Sequence, residues 1–249
     1  MVLLEIESLT KEFDGVTALQ DVAFAVAERE ILGVIGPNGA GKTTLFNCIT
    51  GMIHPSRGVI RYRGEAIQGK RPFEIARRGI GRTFQIVRPF PTLSLTDNVL
   101  VAIGHQAYPT LRRSAMVFGT AANRQAAAAL LTRVGLASGH DRLAGTLPLG
   151  LKKSLEIARA LALEPKLLLL DEPSGGLRHA ESQQLLELIR NQNREGVSVI
   201  LIEHNMPMVM DVCHRLVVLD HGVKIAAGDP AAIQRNPEVI EAYLGKTVN

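Results

Sequence analysis

Ile31-Leu32-Gly33-Val34-Ile35 runs directly into Gly36-Pro37-Asn38-Gly39-Ala40-Gly41-Lys42-Thr43-Thr44. The first five residues are a continuous apolar run, which reads as a buried strand. The next nine fit G-x-x-x-x-G-K-[ST], a glycine-rich turn between a strand and a helix whose backbone amides cradle phosphate. Glycine lets such a turn close tightly and bring its N–H groups onto an anion. A helix opening near Lys42 aims its unpaired N–H groups and positive dipole end at the same place. Its apolar face, Leu45, Phe46 and Ile49, turns toward a core. Lys42 has the reach for β- and γ-phosphates, and the Thr43 hydroxyl is a ligand for Mg²⁺. Residues 36–44 therefore predict a nucleoside triphosphate site.

A second apolar run, Leu167-Leu168-Leu169-Leu170, ends in Asp171-Glu172. Such a strand delivers both acids to the carboxyl edge of a sheet, where open α/β folds bind ligands. Asp171 suits indirect Mg²⁺ coordination, commonly through water, as the partner of Thr43, and Glu172 suits a general base acting on water. His204 follows the strand around Val199–Ile202, within reach of a γ-phosphate. Gln85, in Arg82-Thr83-Phe84-Gln85, can ligate Mg²⁺ or orient water. Phe13 lies 23 residues before Gly36, beside Asp14-Gly15, and can stack on a base. On spacing alone, these last three residues have equally ordinary readings as packing or junction groups.

The remaining chain sets these pieces in order. Its 249 residues are 46% hydrophobic and 21% charged, enough for one compact domain with a subdomain. Strands are expected at Leu3–Ser8, Ala18–Val26, Gly58–Arg63, Ile80–Phe84 and Arg215–Leu219. Helices are expected at Asn123–Val134, Leu151–Leu163 and Ala180–Arg194, with a loose stretch at Gly104–Gly119. Asp220-His221-Gly222 has hairpin-turn chemistry. Strands alternating with helices predict an α/β sheet with a helical insertion. No apolar run reaches the ~20 residues of a membrane helix. Acids among the first residues argue against a signal peptide, so a cytosolic location is expected. Cys48 and Cys213 are too few for a disulfide framework and read as small buried hydrophobes. The net charge of +4 carries no long Lys/Arg block and no interleaved aromatics, so nucleic acid is not expected as a partner.

Together these motifs resemble the ATP-binding subunit of ABC transporters, nearly end to end. The resemblance implies a P-loop NTPase of α/β class. Its RecA-like core (about 1–84 and 164–249) carries an antiparallel β subdomain and an inserted α-helical subdomain (about 85–163). It implies ATP and Mg²⁺ as cofactors. It makes Phe13 the adenine-stacking aromatic, Lys42 the phosphate lysine, and Thr43, Gln85 and Asp171 the metal set. Glu172 becomes the base and His204 the γ-phosphate histidine. Leu147-Pro148-Leu149-Gly150-Leu151 stands at the signature region, where the family usually has Leu-Ser-Gly-Gly-Gln. Gly150 is the residue there that still contacts nucleotide, on the partner cassette's P-loop.

Arg82–Phe90, Leu201–Met206 and Asn236–Gly245 further resemble cassettes of branched-chain and other hydrophobic amino-acid importers. Urea, amide and lipopolysaccharide transporters carry related cassettes. The implied partners are a second cassette, identical or different, and two transmembrane permease subunits contacted near Gln85–Asn98. A substrate-binding protein outside the cell would act indirectly. The implied location is peripheral, on the cytoplasmic face of the membrane. Soluble ABC-type ATPases acting on DNA or ribosomes usually carry two fused cassettes or a long coiled-coil insertion, and the segment between Gly41 and Leu147 has no room for such an insertion. A module that binds without hydrolysing has no use for Glu172 and His204. Two departures stand out: Pro148 removes the signature hydroxyl and a backbone N–H, and Arg178 replaces the usual Asp or Asn after Ser174–Leu177.

Overall fold

The computed structural model describes residues 1–104 and 119–244. The stretch expected to be loose, Gly104–Gly119, lies outside the described residues except at its two ends. Three strands are buried at every position: β3 (Ile31–Ile35), β7 (Leu167–Asp171) and β8 (Ser198–Ile202). Continuous apolar runs of this kind belong in a parallel sheet covered on both faces. With β6 (Ile80–Arg82) and β9 (Arg215–Asp220) they pair in parallel, and β10 (Val223–Gly228) closes one edge antiparallel. The order is β10-β9-β3-β8-β7-β6.

Side chains alternate across these strands and split the interior in two. Leu32, Val34, Leu167, Leu169, Ile200, Ile202, Val217 and Leu219 face a core shared with α1 (Lys42–Ile49) and a second sheet. That sheet is antiparallel and built from β1 (Val2–Phe13), β2 (Val16–Ala27), β4 (Arg57–Tyr62) and β5 (Glu65–Ala66). Ile31, Ile35, Leu168, Leu170, Val199, Leu201, Leu216 and Val218 face the other core. Helices supply its far side, among them α5 (Leu149–Leu161), α6 (His179–Arg194) and α7 (Met206–Val212).

The described part of 85–163 carries α3 (Leu95–Ile103), α4 (Ala121–Arg133) and α5, after the short α2 (Pro72–Arg77). α8 (Pro230–Gln234) and α9 (Pro237–Leu244) end the described chain. The β9–β10 hairpin forms as expected, with His221 (φ 43°) and Gly222 (φ 81°) both left-handed, as a tight twisted hairpin requires.

Several boundaries differ from expectation. α5 begins at Leu149 rather than Leu151, because Pro148, at φ −63°, takes the cap position and its carbonyl accepts from Lys152 N–H. It ends at Leu161 rather than Leu163, where Glu164 turns left-handed (φ 50°). β6 stops at Arg82 rather than Phe84. α3 had no counterpart among the expected helices, although Ser94 caps it by accepting from Asp97 N–H. Cys48 and Cys213 are both buried, and burial pushes their thiols up to about 11 and about 12.

Candidate active site

The loop 36–41 leaves β3 at the carboxyl edge of the sheet and enters α1 at Gly41, which is left-handed at φ 96°. The glycine requirement comes from the chain's own walls as well as from any ligand. A Cβ on Gly36 would stand 2.0 Å from the Leu219 carbonyl oxygen, and one on Gly41 2.5 Å from that of Ala18. Lys42 donates from Nζ to the carbonyls of Gly36 and Pro37, both at 2.8 Å, and so braces the loop from inside. Burial lowers the Lys42 pKa, while the carboxylates of Glu172 and Asp171 oppose that fall. Asn38 and Gly39 form the exposed rim, Ala40 is buried beneath it, and Thr43 is exposed on the first turn of α1.

At the end of β7, three sequence-predicted residues meet. Glu172 Oε2 accepts from Gln85 Nε2 at 2.9 Å, and Glu172 Oε1 lies 2.7 Å from His204 Nε2. The Glu172 backbone is left-handed (φ 47°), a conformation that costs a non-glycine residue on the order of 1 kcal/mol or more. Its N–H is tied to the Ile202 carbonyl at 2.9 Å. Two further residues, missed in the sequence, hold this corner. Lys153 of α5 donates to the carbonyls of Glu172 (3.0 Å) and Gly175 (2.6 Å). Glu203, 3% exposed, accepts from Ser174 N–H at 2.6 Å and His204 N–H at 3.1 Å. A lone acid at the end of an apolar strand was the available signal for Glu203. Lys153 left no signal, since its partners are main-chain atoms distant in sequence.

Asp171 is 2% exposed. Its Oδ2 accepts from Arg82 Nη2 at 3.2 Å, whereas its Oδ1 is buried and has no hydrogen-bond partner. Burial raises the Asp171 pKa and the Arg82 guanidinium opposes it. Thr43, Gln85 and Asp171 line one cavity of about 660 Å³. A hydroxyl, an amide and an orphaned carboxylate oxygen around one space fit Mg²⁺, which takes few protein oxygens and keeps several waters.

Two expected residues stand apart. Gly150 occupies the first turn of α5 and lines a separate cavity of about 600 Å³ with Leu177 and Glu181. Phe13, 42% exposed, is covered on one face by Lys11 Nζ, 4.6 Å from the ring centroid. Among the described residues, no hydrogen bond or ring contact joins Phe13 to 36–44. Its hairpin is nonetheless set beside the cradle, because Gln20 N–H of β2 donates to the Gly222 carbonyl at 2.8 Å and the Ala18 carbonyl crowds Gly41.

Comparison with known proteins gives the same reading. The family described as "ABC transporter" matches residues 19–175, and "Branched-chain amino acid ATP-binding cassette transporter" matches 223–248. The high-affinity branched-chain amino acid transport ATP-binding protein BraF of Pseudomonas aeruginosa is 42% identical, with 98% of each chain covered. LivG of Escherichia coli K12, described in the same terms, is 40% identical over 98% of each. The ADP conformation of MJ1267, an ATP-binding cassette of an ABC transporter, superposes with a TM-score of 0.88 at 30% identity, covering 99% of this chain and 100% of that one. The chain belongs to the ATP-binding cassettes of ABC transporters, a family of transport-coupled ATPases.

Proposed function

We propose that this chain is the ATP-hydrolysing motor of an importer for branched-chain or other hydrophobic amino acids. The observation that carries the catalytic part is the Glu172 carboxylate, reached at once by Gln85 and His204 beside the glycine-rich cradle. The cargo reading rests on the relatives' described transport and on the 223–248 match.

In this reading, main-chain amides of 36–44 and the N-terminus of α1 hold the polyphosphate tail, and Lys42 turns from its loop carbonyls to the phosphates. Glu172 takes the proton of the attacking water, which Gln85 and His204 orient. Thr43, Gln85 and Asp171 would hold Mg²⁺, which neutralises charge developing on the phosphates. Phe13 stacks on adenine. The RecA-like core spans about 1–84 and 164–249, with a helical subdomain at about 85–163. Gly150 and the amides of the first turn of α5 serve the nucleotide of a second cassette.

The permease subunits dock near Gln85–Asn98. Phe84, Ile86 and Phe90 expose 45%, 67% and 41% of their surface there, an apolar patch of the kind that marks an interface. The same cavity that holds Thr43 and Asp171 is walled by Phe84, Ile86 and Arg88, so docking and hydrolysis share a wall. No helix among the described residues is long and apolar enough to cross a membrane. In this reading attachment runs through those subunits at the cytoplasmic face, as the relatives' role in transport suggests. Reconstitution with the permease pair and binding protein in vesicles tests the reading. ATP-driven uptake of leucine, isoleucine or valine is expected. ATP hydrolysis stimulated only by a cargo of another class would overturn the amino-acid assignment.

A further inference from the structure

Arg82 has none of the roles assigned above, yet it is the most heavily anchored charge near the site. It ends β6 with a side chain only 6% exposed. Its Nη2 donates to Asp171 Oδ2 at 3.2 Å, and its Nη1 donates to Asn47 Oδ1 at 2.7 Å and Thr50 Oγ1 at 3.0 Å, both on or just after α1. The guanidinium also packs on Phe84 and Phe46, at 4.9 and 5.6 Å from the ring centroids. A guanidinium is a rigid planar fork, so contacts on both terminal nitrogens and on its face fix its position and its angle, although Nε is buried without a hydrogen-bond partner.

Stability alone gives little reason for this arrangement. Burying an ion pair carries a desolvation cost on each ion, and apolar replacements of similar volume are often no less stable. What the pair does achieve is asymmetry in Asp171: Oδ2 is occupied, while Oδ1 is buried and left unpartnered in a residue that lines the same cavity as Thr43 and Gln85. Anchoring on α1 also ties the acid to the helix that carries Thr43.

We propose that Arg82 is a positioning residue for hydrolysis: braced on α1 through Asn47 and Thr50, it holds Asp171 Oδ2 and presents Oδ1 to the divalent cation. This rests on the reading of Asp171 as the magnesium acid.

The test uses the full chain with ATP and Mn²⁺ as a spectroscopic substitute, metal binding being read by electron paramagnetic resonance. Outer partners of metal ligands typically contribute 10- to 100-fold in metal affinity, so Arg82→Gln is expected to weaken Mn²⁺ binding by about tenfold. ATP affinity in EDTA should stay within about twofold, and Arg82→Lys should recover part of the loss. Unchanged Mn²⁺ affinity, or an equal fall in metal-free ATP affinity, overturns the proposal. Should Arg82→Gln fail to fold, Asn47→Ala is read in its place, with about threefold weakening expected from loss of one anchor and no weakening overturning it. Asp171→Asn is the control: if it leaves Mn²⁺ binding intact, the failure lies in the metal assignment itself.

Discussion

Glu172 and Glu156 show how one chain gives two carboxylates different work. Glu172 lies a quarter exposed at the mouth of the site, with one oxygen engaged by Gln85 and the other by His204. Glu156, in α5, is 8% exposed and accepts from Phe84 N–H at 3.2 Å. Burial pushes its carboxyl up to about 7, against the pull of that hydrogen bond and of Arg159 and Lys153. A carboxyl with a raised folded pKa adds stability below its unfolded value, 4.5, and loses it as pH rises through about 7. Glu156→Gln keeps the acceptor for Phe84 and removes the titration. It should raise the melting point at pH 8, by the equivalent of up to about 3 kcal/mol, and change little at pH 4.5. Equal shifts at both pH values in thermal melts would show that Glu156 is not held this way. At this scale the sequence was readable where residue type and spacing mark a candidate, as with Lys42, Thr43, Asp171 and Glu172, which the fold brings to one edge of the sheet. Lys153 and Arg82 were not readable, because each acts on neighbours that only the folded chain supplies, and Glu203 offered only its place at the end of an apolar strand.

Among the elements, α5 was expected but starts two residues early, and it matters most to a second cassette. Pro148 stands at its cap with no side-chain hydrogen bond, and Leu149, Gly150 and Leu151 form the first turn. The helix end still offers free N–H groups and a positive dipole end. What it lacks is a serine hydroxyl, which would both cap the helix and reach a phosphate. A lost charge-assisted hydrogen bond is worth ~1.5–3 kcal/mol, roughly ten- to a hundredfold in rate. Paired with a different cassette, this chain would then build one full site on its own P-loop and lend a weaker signature to the other. Pro148→Ser is expected to stabilise the isolated chain by about 1 kcal/mol, read in denaturant melts, and to raise ATPase of the assembled transporter. A stabilised chain without faster hydrolysis would remove the asymmetry. The α5 start was misplaced by two residues because the apolar pattern begins at Leu151, whereas the helix begins where proline's fixed φ allows it.

At the scale of the whole molecule, the alternation of apolar side chains in β3, β7, β8 and β9 divides the core between α1 and α2 with the antiparallel sheet and the helices α3 to α9. Parallel pairing puts the carboxyl ends of β3, β7 and β8 on one edge, so residues as distant in sequence as Lys42, Glu172 and His204 converge. The parallel sheet was legible because continuous apolar runs have few other uses. Helices such as α3 and α7 were not, since short segments with a polar cap carry too little periodicity to stand out. The central claim is that this edge binds ATP and that Glu172 drives its hydrolysis, two functions separable in one variant. The direct measurement is Glu172→Gln in the full chain, with Mg-ATP binding by titration calorimetry and phosphate release under single turnover. ATP affinity should match that of the unaltered chain, while phosphate release falls by at least about 10²-fold, the contribution of a general base. Phosphate release that persists at the original rate, or calorimetry that detects no saturable nucleotide binding to either chain, would contradict the account.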